Sequence, residues 1–456
     1  MPPMFILDVK PFLNVLVVTD PFIADQVVLS SPEYPYGAHK SWTAHDLWPI
    51  TGKQSMLTLN GEEWRQTRKR FAPGFQPSHL KNVMLPMFVE QAKHFLNNMK
   101  KKFESGEVFE LAPLCQNFTL DVIGLMVLNK DFHTQTLPEN DGMRAPGGLL
   151  WAFDIIQSGA HARTNWLEYI DVAGYYRKWN AGRIMDKQYQ HLITEALEAA
   201  DNDTSSRSIL SLSVKKQELT SNVLEHASHQ LRTFLFAGYD TTASSIAWTF
   251  YYLGRPESQH SLDAILHELD EALGPDDQEA ERRLADDVHL PLLWNAMREA
   301  MRMQPAAASS RAVLPSENDF FVTDKDGSKH KINDTIIFIS HRLMHTNPRI
   351  WGSKASGCKY DSYEFHPERW ADKEYMDTIP AHSYRPFEHG SRDCIGQEVA
   401  KTEMKVVLAL TLRKWRFEKV TREEDKDEEL GEVWGKYNIL TVPSDGMRGI
   451  VKRRGL

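Results

Sequence analysis

Arg385-Pro386-Phe387-Glu388-His389-Gly390-Ser391-Arg392-Asp393-Cys394-Ile395-Gly396-Gln397 is the stretch on which the reading of this chain turns. It contains Phe-x-x-Gly-x-Arg-x-Cys-x-Gly, which chance would produce in a chain of this length on the order of once in ten thousand sequences. Cys394 stands just ahead of a helical pattern that begins at Gln397. The unpaired amides and positive end of such a helix favour a thiolate over a thiol. Gly390 and Gly396 remove side chains on either side, so backbone can approach a flat ligand and aim its N–H groups at the sulfur. A lone cysteine is more often simply buried; inside this pattern the ligand reading prevails.

Working outward, the composition narrows what that cysteine can do. The chain has 456 residues, 41% hydrophobic and 25% charged, which places it among globular proteins rather than disordered or collagen-like ones. Lys and Arg number 53 against 62 Asp and Glu, a net charge of −9, so there is no basic surplus for a dedicated nucleic-acid binder. The 3 cysteines, Cys115, Cys358 and Cys394, cannot build a disulfide framework and point to a reducing compartment. The apolar runs near the N-terminus are broken by Asp8, Lys10 and Asn14, short of the ~18 residues of a membrane span, and no basic n-region with a cleavage site is present. A zinc site at Cys394 with His382 or His389 lacks a second ligand pair. Neither Gly-x-Ser-x-Gly nor a phosphate-cradling glycine loop occurs. A cysteine thiolate fits haem iron, onto which it pushes electron density that favours O–O cleavage.

Periodicity predicts a long helix from about Thr220 to Leu253, with Leu231, Phe234, Leu235, Gly238, Thr242, Ser245, Ile246, Thr249 and Tyr252 on one stripe. A second helix is predicted over about Gln397–Lys414. Short β-prone runs fall at Val15–Thr19, Arg311–Leu314, Phe320–Thr323 and Thr335–Ser340. No linker or repeat divides the chain, so 1–456 reads as one large domain, mainly helical with small sheets, built around something buried.

The cysteine segment resembles the haem-binding signature of the cytochrome P450 superfamily, and motifs from about Val15 to Val451 extend the resemblance. Ala237-Gly238-Tyr239-Asp240-Thr241-Thr242 is similar to the family's Ala/Gly-Gly-x-Asp/Glu-Thr-Thr/Ser on the long central helix. Ala237 and Gly238 would leave room for a bound diatomic, and a hydroxyl bonded to an upstream carbonyl can locally open the helix. Asp240 and Thr241 offer an acid and a hydroxyl for proton relay. Glu299-Ala300-Met301-Arg302 resembles Glu-x-x-Arg, and Phe365-His366-Pro367-Glu368-Arg369-Trp370 resembles Pro-Glu-Arg-Phe with Trp in the last place. By that resemblance Glu299, Arg302 and Arg369 form a buried network that holds the cysteine loop. Trp64 and Arg68, one turn apart, are similar to the helix that holds haem propionates, and the following Phe71-Ala72-Pro73-Gly74-Phe75 is similar to fungal members. Arg311 and Arg392 are the further propionate candidates by motif position.

The resemblance implies a cytochrome P450 fold in which haem b lies between the central helix and the cysteine loop, with Cys394 as axial iron ligand and Phe387, Gly390, Arg392, Gly396, Ala237 and Gly238 around the cofactor. It implies a monooxygenase that uses O₂ and NADPH-derived electrons from an NADPH-cytochrome P450 reductase on an apolar organic substrate, in a setting such as fungal secondary metabolism. Lys401, Lys405, Arg413 and Lys414 form the candidate docking face for that flavoprotein. Segments Trp42–Lys53, Phe153–Trp166, Thr233–Thr241, Ala306–Ser310 and Glu432–Asn438 are the expected pocket walls. The stretch Trp351–Phe365, with Cys358, reads as a surface insertion. The Trp64 motif comes early, so the chain is expected to start near its second strand, lacking the usual anchor, first helix and first strand. Membrane association would then be peripheral, at the cytoplasmic face of the endoplasmic reticulum or in the cytoplasm. The competing readings are a reductase-independent haem-thiolate isomerase, dehydratase or peroxygenase, and a truncated haem-binding protein without turnover.

Overall fold

The computed structural model of the protein describes residues 2–9, 13–32, 34–137, 143–158, 172–202, 208–214, 220–313, 319–333, 335–422, 433, 435–437 and 440–455. Its axis is the helix Ser221–Leu253, here the central helix, which starts where the sequence pattern placed it because the Thr220 hydroxyl accepts from the Val223 N–H. From Gln230 onward nearly every residue is buried, because helix Leu111–Leu128 packs on one side and helices Pro291–Met303 and Gln397–Leu412 on the others. Leu111–Leu128 is apolar on almost every face, as a helix clasped between neighbours must be. Among the described residues it alone is long and apolar enough to cross a membrane, yet 67% of it is buried inside the fold. Gly238 marks the tightest approach of this helix to the central one, since a Cβ there would stand 2.9 Å from Ile123 Cδ1.

A five-stranded sheet closes one end. Strand Leu13–Val18 runs parallel to Ile336–Ile339, which pairs antiparallel with Ser309–Ala312 and through it with His39–Lys40. Three of the β-prone runs lie in this sheet, and the fourth, Phe321–Thr323, pairs with Lys329–Lys331. Leu314 lies outside the described residues. Met4–Val9 is also a strand, antiparallel to Leu13–Val18 at the sheet's edge. Its run Met4–Leu7 lacks the polar–apolar alternation that marks a strand, so the sequence reading passes over it. Along Ser309–Ala312 the two-residue period puts Ser309 and Arg311 on one face.

Glu299 is fully buried and both its oxygens are saturated. Arg302 binds it through Nε and Nη2, each at 2.9 Å; Arg369 Nε donates at 2.9 Å, the His366 amide at 3.0 Å and Trp370 Nε1 at 3.0 Å. Two guanidiniums against one carboxylate leave a positive surplus, which is spread over carbonyls: Arg302 donates to His345, Ser362 and Glu364, and Arg369 to Asp361. The stretch expected as a mere surface insertion therefore supplies acceptors to a buried network, although Cys358 itself is exposed. The neutral His345 ring then accepts from the Arg385 amide at 2.9 Å, which carries the network to the start of the cysteine loop.

Glu299→Gln would strand two buried guanidiniums and is expected to destabilise the protein by ~3–5 kcal/mol. Trp370→Phe removes one donor to a buried charge and is expected to cost ~1.5–3 kcal/mol. Urea unfolding of both variants against wild type checks the order; a Trp370→Phe protein as stable as wild type would show that the indole bond adds nothing.

Candidate active site

The central helix, the cysteine loop and the strand Ser309–Ala312 enclose one cavity of about 300 Å³. The loop is shaped by its own backbone: the Cys394 amide donates to the Phe387 carbonyl at 2.9 Å and the Asp393 amide to the Gly390 carbonyl at 3.2 Å. Phe387, Arg392, Asp393, Cys394, Ile395 and Gly396 line the cavity from below, and Ala237, Gly238, Thr241, Thr242 and Ser245 from above. Cys394 is accessible by surface area yet enclosed by protein. Both hold because its open face meets the cavity rather than bulk water.

Its protonation differs from the sequence expectation. Burial pushes the thiol up, the Gly396 N–H and the Arg68 and Lys401 cations pull it down, and burial wins. The helix behind it begins at Gln397 with Gly396 as its cap, so its end lowers the pKa without overcoming desolvation. A bound metal ion would favour the thiolate, because a coordinating thiol loses its proton to the ion's charge.

Two glycines have other reasons than those read from sequence. Gly390 is held at φ +84°, and a Cβ there would meet the Val28 carbonyl at 2.9 Å; it faces helix Pro21–Val28 and not the cavity. At Gly238 the space freed is filled by Ile123, so only Ala237 and the backbone border the cavity there. Gly396 keeps its expected place, with Cys394 Sγ 4.0 Å from the position of a Cβ.

Thr241 lines the cavity and its hydroxyl donates to the Ala237 carbonyl at 2.7 Å, with Ser245 and Thr249 repeating the same back-bond. Asp240 is buried but faces helix Leu111–Leu128, where its Oδ1 accepts from Gln116 Nε2 at 2.7 Å. The acid and the hydroxyl are thus neighbours in sequence on different sides of the helix. Gln116 carries no motif signal and was missed by sequence reading.

One pole of the cavity concentrates cations. Arg392 lines it, and Arg311, buried near Lys40 and Arg392, is not among the lining residues; Arg311 Nε and Nη2 and Arg392 Nε are buried donors without partners in the described structure, while the other Arg392 nitrogens donate to Asn60, Met56 and Leu59. Lys40, absent from every motif, joins them: its amine is held well below the lysine range by burial, and then by Arg311 and Arg392. Glu388, the acid among them, is itself engaged with Arg385 at 2.9 Å and His341 at 3.4 Å. Arg68 is committed to Asp393, at 2.6 Å to its carbonyl and 2.5 Å to its carboxylate, so it braces the loop before it faces the cavity. Trp64 is buried beneath Arg392, whose guanidinium carbon lies 4.8 Å from the ring centre. Unpaired buried donors next to an apolar slot suit a flat ligand that carries carboxylates.

A sequence model described as "Cytochrome P450" matches residues 3–442. The chain belongs to the cytochrome P450 family. It is 31% identical over 442 residues to "Cytochrome P450 monooxygenase polC" of Polytolypa hystricis (92% of this chain, 74% of that protein) and 29% identical to "Cytochrome P450 monooxygenase acrF" of Aspergillus aculeatus (91% and 84%). Its fold matches the crystal structure of a cytochrome P450 (CYP102L1) with a TM-score of 0.78 at 21% identity, over 100% of this chain and 95% of that one. As a P450 it is an oxidoreductase of the monooxygenase class, and the family's cofactor is haem b held through a cysteine thiolate.

Other expectations are corrected. Of the expected pocket walls, residues 42–53 do not border the cavity, whereas Lys40, Met56 and Leu57 do. Phe153 and Ile156 pack in the core instead, and 159–166 lie outside the described residues. The described residues of 432–438 also stand off the cavity, while Ala306, Ala307, Ala308 and Ser309 line it. The expected basic docking face is largely neutralised: Lys401 pairs with Glu398, Lys405 with Asp287, and both Arg413 and Lys414 with Asp277. The acidic run 423–429 lies outside the described residues.

Because Lys40 has a depressed pKa in the fold, the unfolded chain binds more protons, and the haem-free protein gains stability as pH rises toward lysine's ordinary 10.5. Lys40→Met is expected to flatten that slope in urea titrations of the haem-free protein and to speed haem loss from the loaded one. A variant whose haem-free stability follows the wild-type pH profile would contradict the repulsion.

Proposed function

We propose that this P450 inserts one oxygen atom of O₂ into an apolar organic substrate and reduces the other to water, with electrons from NADPH delivered by a flavoprotein reductase. In sum, substrate C–H, O₂, NADPH and a proton give the hydroxylated product, water and NADP⁺, or the corresponding epoxide from an alkene. The observation that carries the reading is the placement of Cys394 across one apolar cavity from Ala237 and Thr241. Bound haem supplies the centre at which O₂ is activated.

The protein's own residues do the rest. Cys394 would hold the haem iron through its thiolate, which the Gly396 N–H favours. Arg311, Arg392 and Lys40 would neutralise the propionates, with Arg311 Nε and Nη2 and Arg392 Nε as the donors that lack a protein partner, and Trp64 and Arg68 would brace them. Thr241 donates its hydroxyl proton to the Ala237 carbonyl, so its oxygen can accept a hydrogen bond in the cavity and orient a proton-bearing group there. Asp240, steered by Gln116, supplies protons from the side of the helix away from substrate. Met56, Leu57, Ile123, Met126, Phe234 and Met301 exclude water and bind by apolar contact. The similarity to fungal P450 monooxygenases supports a role in secondary metabolism.

The reduced, carbon monoxide-treated protein is expected to show a thiolate-type Soret band that Cys394→Ser abolishes; a band unchanged in the variant would overturn the ligand assignment. Asp240→Asn is expected to leave the band in place and lower reductase-dependent turnover on the order of 10²-fold. Turnover that needs no NADPH or reductase would favour isomerase, dehydratase or peroxygenase chemistry instead.

A further inference from the structure

Resting on the monooxygenase reading, we infer that Glu403 is a second internal acid of the active site, which gives a proton into the cavity as O₂ is reduced and takes one back from solvent before the next turnover. Among the described residues three carboxyls line the cavity, those of Glu388, Asp393 and Glu403. Glu388 is engaged by Arg385 and His341, and Asp393 by Arg68. Glu403 forms neither an ion pair nor a hydrogen bond with the described residues.

The surroundings of that carboxyl decide its form. Oε1 is sealed in the wall, whereas Oε2 keeps accessible surface. Glu403 is 3% exposed and enclosed by protein, so this surface belongs to the cavity it lines. Burial alone acts on the carboxyl and raises it well above the ordinary carboxylate range, which favours the protonated acid. Glu299 is buried as deeply, yet there Arg302 and Arg369 outweigh burial and hold a carboxylate. An unpartnered carboxyl in an interior opposes folding, and native proteins keep few of them.

The other groups on the wall are poor sources of the proton. Thr241 and Ser245 line the cavity, but their hydroxyls donate to the Ala237 carbonyl at 2.7 Å and the Thr241 carbonyl at 2.9 Å. Guanidiniums do not release protons. Lys40 stands with Arg311 and Arg392, and His341 is set on Glu388. Asp240 faces Gln116 on the side of helix Leu111–Leu128, whereas Glu403 comes from helix Gln397–Leu412, which packs on another side of the central helix. At a rise of ~1.5 Å per residue, Glu403 stands about 10 Å along that helix from Gly396, set off from the sulfur along the cavity wall. The proton has a measurable use even without substrate. O₂, two NADPH and two protons give two waters, whereas O₂, one NADPH and one proton give hydrogen peroxide, and prompt proton delivery favours water.

The test uses the haem-loaded protein with a flavoprotein reductase and NADPH in air, without organic substrate. Glu403→Gln and Glu403→Leu are each expected to keep the thiolate-type carbon monoxide band and to raise the ratio of peroxide to water roughly tenfold, less than the ~10²-fold of an unshared acid because Asp240 still delivers. On photolysis of bound carbon monoxide, the infrared difference spectrum of wild type is expected to contain the carbonyl stretch of a protonated carboxylic acid that both variants lack. In the haem-free protein, an acid whose pKa is raised on folding contributes stability that is full below 4.5 and lost as pH rises, so Glu403→Leu is expected to gain on wild type in urea between acid and neutral pH. A wild type without that stretch, a stretch that persists in both variants, an unchanged peroxide-to-water ratio, or a Glu403→Leu stability that tracks wild type across pH would each overturn the inference. Loss of the carbon monoxide band in both variants would make Glu403 a support of the iron site and overturn it too. A wild type that consumes no NADPH with the reductase would sink the monooxygenase reading and the inference with it, whereas a missing stretch sinks the inference alone.

Discussion

Removal of charge from water governs this protein more than any single contact. Glu299 is wholly buried, and a carboxylate there is tolerable only because Arg302, Arg369, Trp370 and the His366 amide replace its hydration. The same cost reappears at the arginines, whose surplus charge is met by carbonyls from His345, Asp361, Ser362 and Glu364. Four chain segments are thereby drawn to one point. The cysteine loop hangs from this point through His345 and Arg385, so the position of Cys394 follows from a network that never touches the cavity.

A second group of buried charges is left unsatisfied, and it behaves in the opposite way. Lys40, Arg311 and Arg392 repel one another beside an apolar slot, and Arg311 Nε and Nη2 and Arg392 Nε are buried without a protein acceptor. Folding is thus opposed locally by these charges, the ones the proposed function sets against the cofactor's carboxylates. Cys394 shows the same logic with the sign reversed: burial favours its thiol over the thiolate. Stability of the haem-free chain and affinity for haem are consequently coupled through the same side chains.

Much of this was legible in the chain itself, for identifiable reasons. Periodicity located the central helix because its inward stripe runs from Leu231 to Tyr252, about six turns, and its cap is Thr220. The Phe-x-x-Gly-x-Arg-x-Cys-x-Gly spacing located the loop because backbone turns within ten residues are local. Glu299, Arg302 and Arg369 were read as a network, and they do bind one another. Met4–Val9 escaped notice because Met4 to Leu7 is a continuous apolar run without the alternation that marks a strand. Lys40 and Gln116 carry no motif; each acquires its meaning from a residue more than a hundred positions away.

The sequence by itself determined the family, the residue types of the iron-side loop and the helices that bear them, since these depend on order and period along one segment. Tertiary structure decided which way each group faces and how it is charged. It turned Asp240 toward Gln116 and away from the cavity, filled the gap at Gly238 with Ile123, and set Gly390 against Val28. It also neutralised the basic face with Asp277, Asp287 and Glu398. Desolvation and hydrogen-bond partnership are properties of a place in space, and residues distant in sequence create that place.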